Sequence, residues 1–360
     1  MKHYLYFKKF LLILVFASAF GFSACGSNGS GSGDEPDIYV AGVYGSGVNT
    51  KACYWVNNAA GFVDLPVGSS TSDANSIVVS GGDVYVAGVY DSGGGNYKAC
   101  YWVNDTAGFV DLSAGSRSQA YSIAVSNEKV YVTGNWVDSG VSKACYWENN
   151  KAGFVDLGVP AGASSSFVRS IAVSGGKVYA AGGYVSGSID KACYWVNDAA
   201  GFVDLGVSAG ASKSLARSIA VSGGKVYVAG GYVSDSIDKA CYWVDGTWKN
   251  LNPAEAVNSA AESIVVSGGK VYIAGVYVIS GGIDKACYWI DGTKKDLPAG
   301  ASDSSAYSIA VSGGKVYAAG EYYDRGGGNS KACYWVNGAK KDLNPAGASE
   351  SVAFSIFIVK

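Results

Sequence analysis

Seven residues of differing chemistry occupy one equivalent position along this 360-residue chain, each directly before a Ser-Ile dipeptide. They are Asn75, Tyr121, Arg169, Arg217, Glu262, Tyr307 and Phe354. Amide, aromatic, cationic and acidic groups at one position of a regular frame are typical of a recognition surface. Arg169 and Arg217 would form a basic sector between Tyr121 and Glu262, which suits an acidic glycan or a peptide carboxylate. The alternative, that the position drifts because nothing constrains it, stays open.

Seven cysteines recur in the pentapeptide Lys-Ala-Cys-Tyr-Trp, at positions 53, 100, 145, 193, 241, 287 and 333. Packed sheets lie about 10 Å apart and a disulfide needs α-carbons within about 7 Å, so equivalent cysteines of neighbouring repeats cannot bridge. We expect seven free, buried thiols and no metal site. The tryptophan of the pentapeptide predicts packing between repeats, with a carbohydrate platform as the alternative. Three Ile-Asp-Lys copies, at Asp190, Asp238 and Asp284, are interpreted as loop carboxylates beside lysines.

Charge and histidine content exclude several classes of function. Residues 25–360 contain 24 basic and 29 acidic residues, a net charge of −5, which argues against a nucleic-acid partner. His3 is the only histidine and lies in the leader described next, so the remaining chain lacks the commonest general base and metal ligand. We therefore predict no cofactor and no catalytic residues. The alternative is an enzyme, a lyase or hydrolase of an acidic glycan, that uses Tyr, Glu and Arg.

Residues 1–24 have the pattern of a secretory signal peptide. Lys2, Lys8 and Lys9 precede an apolar run from Phe10 to Phe22, which is shorter than the ~20 residues of a spanning helix. Cys25 follows Phe-Ser-Ala, which resembles the lipobox of bacterial lipoproteins; the resemblance implies a lipid on Cys25 and a place in the cell envelope, at the outer membrane or cell surface. Residues 25–37 are then the lipidated cysteine and a flexible Gly/Ser tether. An ordinary cleavage site with a stray cysteine is the alternative.

The pentapeptide begins at seven lysines, 45 to 48 residues apart, and this period is typical of propeller blades. Within one repeat, from Ser218, the apolar segments SIAVS, KVYVAGGY and KACYWV and a short one ending in Asp-Leu are separated by turn residues. Small side chains in SIAVS and large ones in KACYW fit a wedge that widens away from an axis. We predict an all-β, seven-bladed β-propeller over residues 38–360, a monomer with four antiparallel strands in each blade.

The two ends of the repeat region predict ring closure. The first repeat, at Ile38, lacks its SIAVS strand, and an additional strand, Ser355 to Val359, ends the chain. The C-terminal strand is expected to complete the N-terminal blade.

The run SGGKVYVAGGY resembles the kelch-type propeller repeat, and the whole unit is similar to repeats of uncharacterised bacterial propeller lipoproteins. The resemblance covers residues 38–360 and implies the fold; it brings no catalytic motif.

The seven copies differ most in two sets of loops, those before the first strand and those between the second and third. We call the side of the propeller that bears both sets the variable face. Outer strands also differ between repeats. Lys294-Lys295 and Lys340-Lys341 stand where the first four repeats have Phe-Val, and we expect these lysines to block edge pairing. The sequence predicts a secreted, membrane-anchored binding module for a protein or glycan, with a repeat-built structural or antigenic surface protein as a further alternative.

Overall fold

Strands account for almost all regular structure in this chain. The computed structural model describes residues 35–46, 49–65, 67, 71–112, 114–149, 153–206, 210–300, 303–323 and 328–360. The predicted signal peptide, Cys25 and most of the tether lie outside these residues. Within them, the one helical element is a single 3-10 turn at Ala59–Gly61.

The strands form seven antiparallel sheets of four, the blades of a β-propeller, as predicted. Named from the axis outward, blade 1 contains β28 (Glu350–Val359), β1 (Asp37–Ser46), β2 (Asn49–Val56) and β3 (Phe62–Asp64). Blade 2 contains β4 (Ser72–Ser80), β5 (Asp83–Asp91), β6 (Tyr97–Val103) and β7 (Asp105–Asp111). Blade 3 contains β8 (Ser118–Ser126), β9 (Lys129–Asp138), β10 (Val141–Glu148) and β11 (Val155–Gly158).

The other four blades follow the same order. Blade 4 contains β12 (Ser165–Ser174), β13 (Lys177–Ser186), β14 (Ile189–Val196) and β15 (Asp198–Asp204). Blade 5 contains β16 (Lys213–Ser222), β17 (Lys225–Ser234), β18 (Ile237–Val244) and β19 (Thr247–Asn250). Blade 6 contains β20 (Asn258–Ser267), β21 (Lys270–Ile279), β22 (Ile283–Ile290) and β23 (Thr293–Asp296). Blade 7 contains β24 (Ser304–Ser312), β25 (Lys315–Tyr323), β26 (Ser330–Val336) and β27 (Ala339–Asp342).

The ring closes where the two ends of the chain meet. β28 pairs antiparallel with β1, and Ile356 lies opposite Val40. This confirms the predicted closure by the C-terminal strand. β1 begins at Asp37, one residue inside the segment predicted as tether.

Serine hydroxyls join the innermost strands around the axis. The Ser-Ile serine of each blade accepts a hydrogen bond from the isoleucine amide of the next blade, at 3.1 to 3.3 Å, and all seven blades take part. For example, Ile264 N donates to Ser218 Oγ, which is fully buried. A strand facing the axis has no partner strand on that side, so its amides need such acceptors. These serines are structural.

A second serine in each blade ties the third strand of the preceding blade to the first strand of its own. Its hydroxyl accepts from the alanine amide of Lys-Ala-Cys-Tyr-Trp at 2.8 to 3.1 Å, as in Ala240 N to Ser259 Oγ. Together the two serine positions fix the register of neighbouring blades.

The turn after each Lys-Ala-Cys-Tyr-Trp segment begins with Asn or Asp in the left-handed region. Asp245 has φ of 49° and Gly246 has φ of 79°, as the predicted type I′ turn requires. The Asp245 carboxylate also accepts from Val226 N at 2.8 Å. Equivalent residues in the other blades do the same, so the long and short versions of the turn reverse the chain at one place.

The hydrophobic core lies between blades. Tyr101 of blade 2 and Trp147 of blade 3 belong to one buried cluster, and the other interfaces repeat this arrangement. All seven pentapeptide tryptophans are at most 3% exposed, which supports packing over a carbohydrate platform. The seven cysteines at positions 53 to 333 are fully buried and free, as predicted.

In blades 1 and 6, one side chain of the outer strand packs against the second strand of its own blade. In blade 1, Phe62 packs edge-on against Tyr44, with ring centroids 4.9 Å apart. Lys294 occupies the equivalent place in blade 6, with its ammonium 3.8 Å from the Tyr277 ring centroid and 3.0 Å from Glu255. The Lys294 side chain therefore replaces the aromatic ring in the packing. Of the pair expected to block edge pairing, Lys295 is the exposed one.

Candidate binding site

Each of the seven residues singled out from the sequence is the extra residue of a β-bulge. In blade 5, Ala216 pairs with Gly230 and Ser218 pairs with Ala229, so Arg217 has no partner across the strand pair. The same shift in register occurs at the equivalent residue of every blade. A bulge redirects a side chain out of the regular alternation and is frequent beside functional sites. We call these seven residues the bulge ring.

A glycine in the second strand makes each bulge sterically feasible. A β-carbon on Gly230 would lie 1.9 Å from Leu215 O, which real structures do not show. Gly42, Gly88, Gly134, Gly182, Gly275 and Gly320 meet the first strand in the same way. The glycine that follows Ala in six repeats and Thr133 in blade 3 is therefore a sequence signal for the bulge.

Burial divides the bulge ring into two parts. Asn75, Glu262, Tyr307 and Phe354 are at most 9% exposed. Tyr121, Arg169 and Arg217 are only partly buried. The part of the ring that solvent reaches is thus the aromatic and basic part.

Arg169 is held between two aromatic rings. Its guanidinium carbon lies 4.6 Å from the centroid of Tyr121 and 5.5 Å from that of Phe167. Burial lowers the pKa of Arg169, and the positive charge of Arg217 contributes in the same direction; a guanidinium nevertheless stays protonated. Among the described residues, Arg169 makes no ion pair with a carboxylate.

Arg217, by contrast, is paired with an acid. Its Nη1 lies 3.1 Å from both carboxylate oxygens of Glu262, whose side chain is 3% exposed. The Nε of Arg217 is buried and has no hydrogen-bond partner among the described residues. The predicted basic sector therefore combines two guanidinium groups with one carboxylate, which leaves one net positive charge.

The remaining members of the ring contact their neighbours. Asn75 Nδ2 donates to Ala120 O of the next blade at 2.8 Å. Tyr307 packs edge-on against Phe354 and donates its hydroxyl to Glu321 Oε1 at 2.6 Å. Burial and the Glu321 carboxylate raise the pKa of Tyr307. These contacts hold this part of the ring together and leave it inaccessible to a large ligand.

A second set of residues beside the ring was missed from the sequence. Phe167 lies opposite Gly183, where a β-carbon would meet the Phe167 ring at 2.5 Å. Asn135 accepts from Val168 N of the next blade at 2.9 Å, and Glu321 accepts from Tyr307. Phe167 lies two residues before its bulge residue. Asn135 and Glu321 lie in second strands, each opposite the residue two positions before a bulge residue. The signal available was variation at these two positions among otherwise similar copies.

The three Ile-Asp-Lys aspartates are not loop residues, as the sequence predicted, but the second residues of β14, β18 and β22, and their surroundings differ. Asp190 lies 4.0 Å from Lys213 Nζ and not beside the lysine that follows it in sequence. Asp284 Oδ1 is buried without a hydrogen-bond partner among the described residues. Burial, together with Asp303 and Glu321, raises the pKa of Asp284 to about 6.

The described residues contain neither a metal-binding cluster nor a membrane-spanning helix. No group of three or more His, Cys, Asp or Glu side chains in this part of the chain is placed to hold a metal ion. No helix in the same residues is long and apolar enough to cross a membrane.

Comparisons with known proteins assign neither a family nor an activity to this chain. No protein-family model matches the chain, and no curated protein matches it. Among solved structures, it is similar to one from a study of two prolyl endopeptidases and the role of inter-domain dynamics in their catalysis and specificity. The identity is 10%, the TM-score is 0.49, and the match covers 89% of this chain. This chain spans 50% of that one, and a similarity at this level carries no information on activity. The chain is a seven-bladed β-propeller, and its kelch-type resemblance stays a prediction.

Proposed function

We propose that the protein is a non-catalytic binding module, held at a bacterial cell envelope by a lipid on Cys25, that binds an acidic ligand at the bulge ring. The observation that carries this proposal is the setting of Arg169. Its guanidinium is partly buried and makes cation–π contacts with the rings of Tyr121 and Phe167, and it has no acid partner among the described residues. Burying an unpaired charge costs free energy, and an anionic ligand would offset that cost.

The geometry of the ring favours the same kind of ligand. Tyr121, Arg169 and Arg217 are the members that solvent reaches, so an incoming group meets an aromatic and cationic surface. Because two rings hold the Arg169 guanidinium, little side-chain freedom is lost on binding. A planar guanidinium is well suited to a carboxylate, which it contacts through two parallel hydrogen bonds. The ligand is therefore an acidic glycan or the carboxylate of a protein.

The proposal is tested by binding of the full chain, purified in detergent, to arrays of glycans and extracellular proteins. A variant with Tyr121→Ala, Arg169→Ala and Arg217→Ala is measured beside it, with circular dichroism as a check on folding. We expect acidic ligands to bind the wild type and to lose binding to the folded variant. Equal signal from both proteins would contradict the proposal. The lipid anchor is tested by metabolic labelling with a fatty acid. We expect the wild type to carry the label and a Cys25→Ser variant to lack it.

The two alternative functions, an enzyme and a structural or antigenic surface protein, predict different outcomes for the same two proteins. Turnover of an acidic polysaccharide by the wild type would favour an enzyme over a binding module. Absence of any ligand on the arrays, with normal behaviour of the variant in the cell, would favour a repeat-built structural or antigenic surface protein.

A further inference from the structure

A small cavity adjoins the accessible part of the bulge ring. It lies at the inner end of blade 5, against blade 6, and has a volume of about 30 Å³. Its lining includes Arg217, Gly231, Tyr232, Asp238, Ser259 and Ala260. A space of that size holds a group comparable to one water molecule or one hydroxyl.

Two very small residues create the cavity. Gly231 lies in the second strand of blade 5, where other blades have Val43, Val89, Asn135, Val276 or Glu321. Ala260 lies two residues before the bulge of blade 6, where other blades have Asp73, Gln119, Phe167, Leu215, Ser305 or Val352. Gly183 is the one other glycine at the first position, and the Phe167 ring fills the space beside it.

The polar groups around the cavity include both a donor and an acceptor. The Nε–H of Arg217 is buried and has no acceptor among the described residues. Asp238 contributes an exposed carboxylate, which can only accept. The Ser214 and Ser259 hydroxyls already accept from Ala192 N and Ala240 N. A group that fits this set must accept from Arg217 and donate to Asp238, which a hydroxyl does and a carboxylate does not.

We propose that the cavity is a hydroxyl subsite: it takes one hydroxyl of an acidic sugar whose carboxylate lies against Arg169, the neighbour of Arg217 in the bulge ring. The inference rests on the proposed function and narrows its ligand to a glycan built from hexuronic acid units. A peptide carboxylate would satisfy Arg169 and leave the cavity unused. Asp190 at the cavity is paired with Lys213, which leaves the carboxylate of Asp238 to repel a second acidic group.

The test fills the cavity and leaves the bulge ring intact. Ala260→Val adds two methyl groups at the cavity wall. Gly231→Ala adds one, whose nearest neighbour would be Lys239 O at 3.3 Å, and serves as a second variant if the first folds poorly. Val352→Ile enlarges the equivalent residue of blade 1 and is the matched control. Calorimetric titrations of the full chain use trigalacturonate, the neutral hexose trisaccharide, and an acetylated tripeptide with a free carboxylate.

We expect trigalacturonate to bind the wild type and the Val352→Ile variant equally, and to bind the cavity-filled variants at least about tenfold more weakly. The neutral trisaccharide should bind far more weakly than trigalacturonate. Unchanged trigalacturonate affinity in both cavity-filled variants would overturn the subsite, and so would tighter binding of the tripeptide than of trigalacturonate. If Arg169→Gln weakens binding of the acidic probes while the filled variants do not, the subsite fails and the proposed function stands. If none of these changes matters, both fail.

Discussion

Asp284 supplies a stability prediction whose sign follows from its surroundings. One carboxylate oxygen is buried without a hydrogen-bond partner in the described part of the chain, and two further acids, Asp303 and Glu321, lie close enough to disfavour its charge. Its pKa is raised from 3.8 to about 6. The native state therefore holds this proton more tightly than the unfolded chain does. The contribution of protonated Asp284 to the free energy of unfolding is fully present below pH ~4. It is lost as the pH rises towards 6 and is absent above that.

The size of the effect follows from the pKa shift. A shift from 3.8 to about 6 is roughly two pH units, which corresponds to at most ~3 kcal/mol at neutral pH. Because Asp284 is only partly buried, screening by water reduces this, and we expect about 1 to 2 kcal/mol. Asp284→Asn keeps the shape of the side chain and removes the charge. The variant should be more stable than the wild type at pH 7.5 and equally stable at pH 4.

The assay is denaturant unfolding of both proteins at several pH values between 4 and 8. Asp190→Asn is the matched control from blade 4, because its carboxylate lies 4.0 Å from Lys213 and its loss should not stabilise the protein. A wild type and an Asp284→Asn variant that respond to pH in parallel would refute this account of Asp284. So would an equal gain in stability from Asp190→Asn.

Three further predictions concern the frame. Ser218→Ala leaves the buried Ile264 amide without an acceptor and should lower the free energy of unfolding by about 1 to 3 kcal/mol in denaturant titrations. Ser222→Ala, at the end of the same strand, should change it little, and equal effects would contradict the structural role of the Ser-Ile serines. Removal of residues 350–360 takes away β28 and should prevent folding, as seen by circular dichroism, whereas removal of Lys360 alone should not; a folded truncated protein would contradict closure by that strand. Burial raises the pKa of all seven propeller thiols, so maleimide should modify none of them in the native state and all seven after denaturation, by intact mass; fewer on denaturation would indicate disulfides.

The sequence predicted the fold because the frame is repeated seven times. The spacing of Lys-Ala-Cys-Tyr-Trp indicates the number of blades, and the Asp-Gly and Asn-Gly turns indicate hairpins. The missing first strand at Ile38 indicates how the ring closes. The same comparison located the bulge ring, since position 217 and its equivalents vary directly before a Ser-Ile pair that all seven repeats share.

The contacts within the ring were not predictable in this way. Arg217 pairs with Glu262, whereas Arg169 stacks on Tyr121 and Phe167. This difference depends on the side-chain directions that the bulges set and on which neighbour lies within reach. The cavity depends on Gly231 and Ala260, which belong to neighbouring repeats and line it together only once the two blades pack. Lys294 was assigned to the exposed edge because its packing on Tyr277 depends on which side of a short strand it occupies.

The most direct test of the central claim is the effect of one charge at the bulge ring. The ligand that binds most strongly on the arrays is titrated against the wild type, Arg169→Gln, and Lys177→Gln, an exposed cation at the turn between the first two strands of blade 4. Arg169 has no acid partner among the described residues, so its replacement leaves no buried carboxylate unpaired; denaturant unfolding of each variant checks that the lost contacts with Tyr121 and Phe167 do not unfold the protein. We predict a loss of affinity of at least about tenfold for Arg169→Gln and none for Lys177→Gln. Equal affinities for all three proteins would contradict the claim that this ring is the binding site.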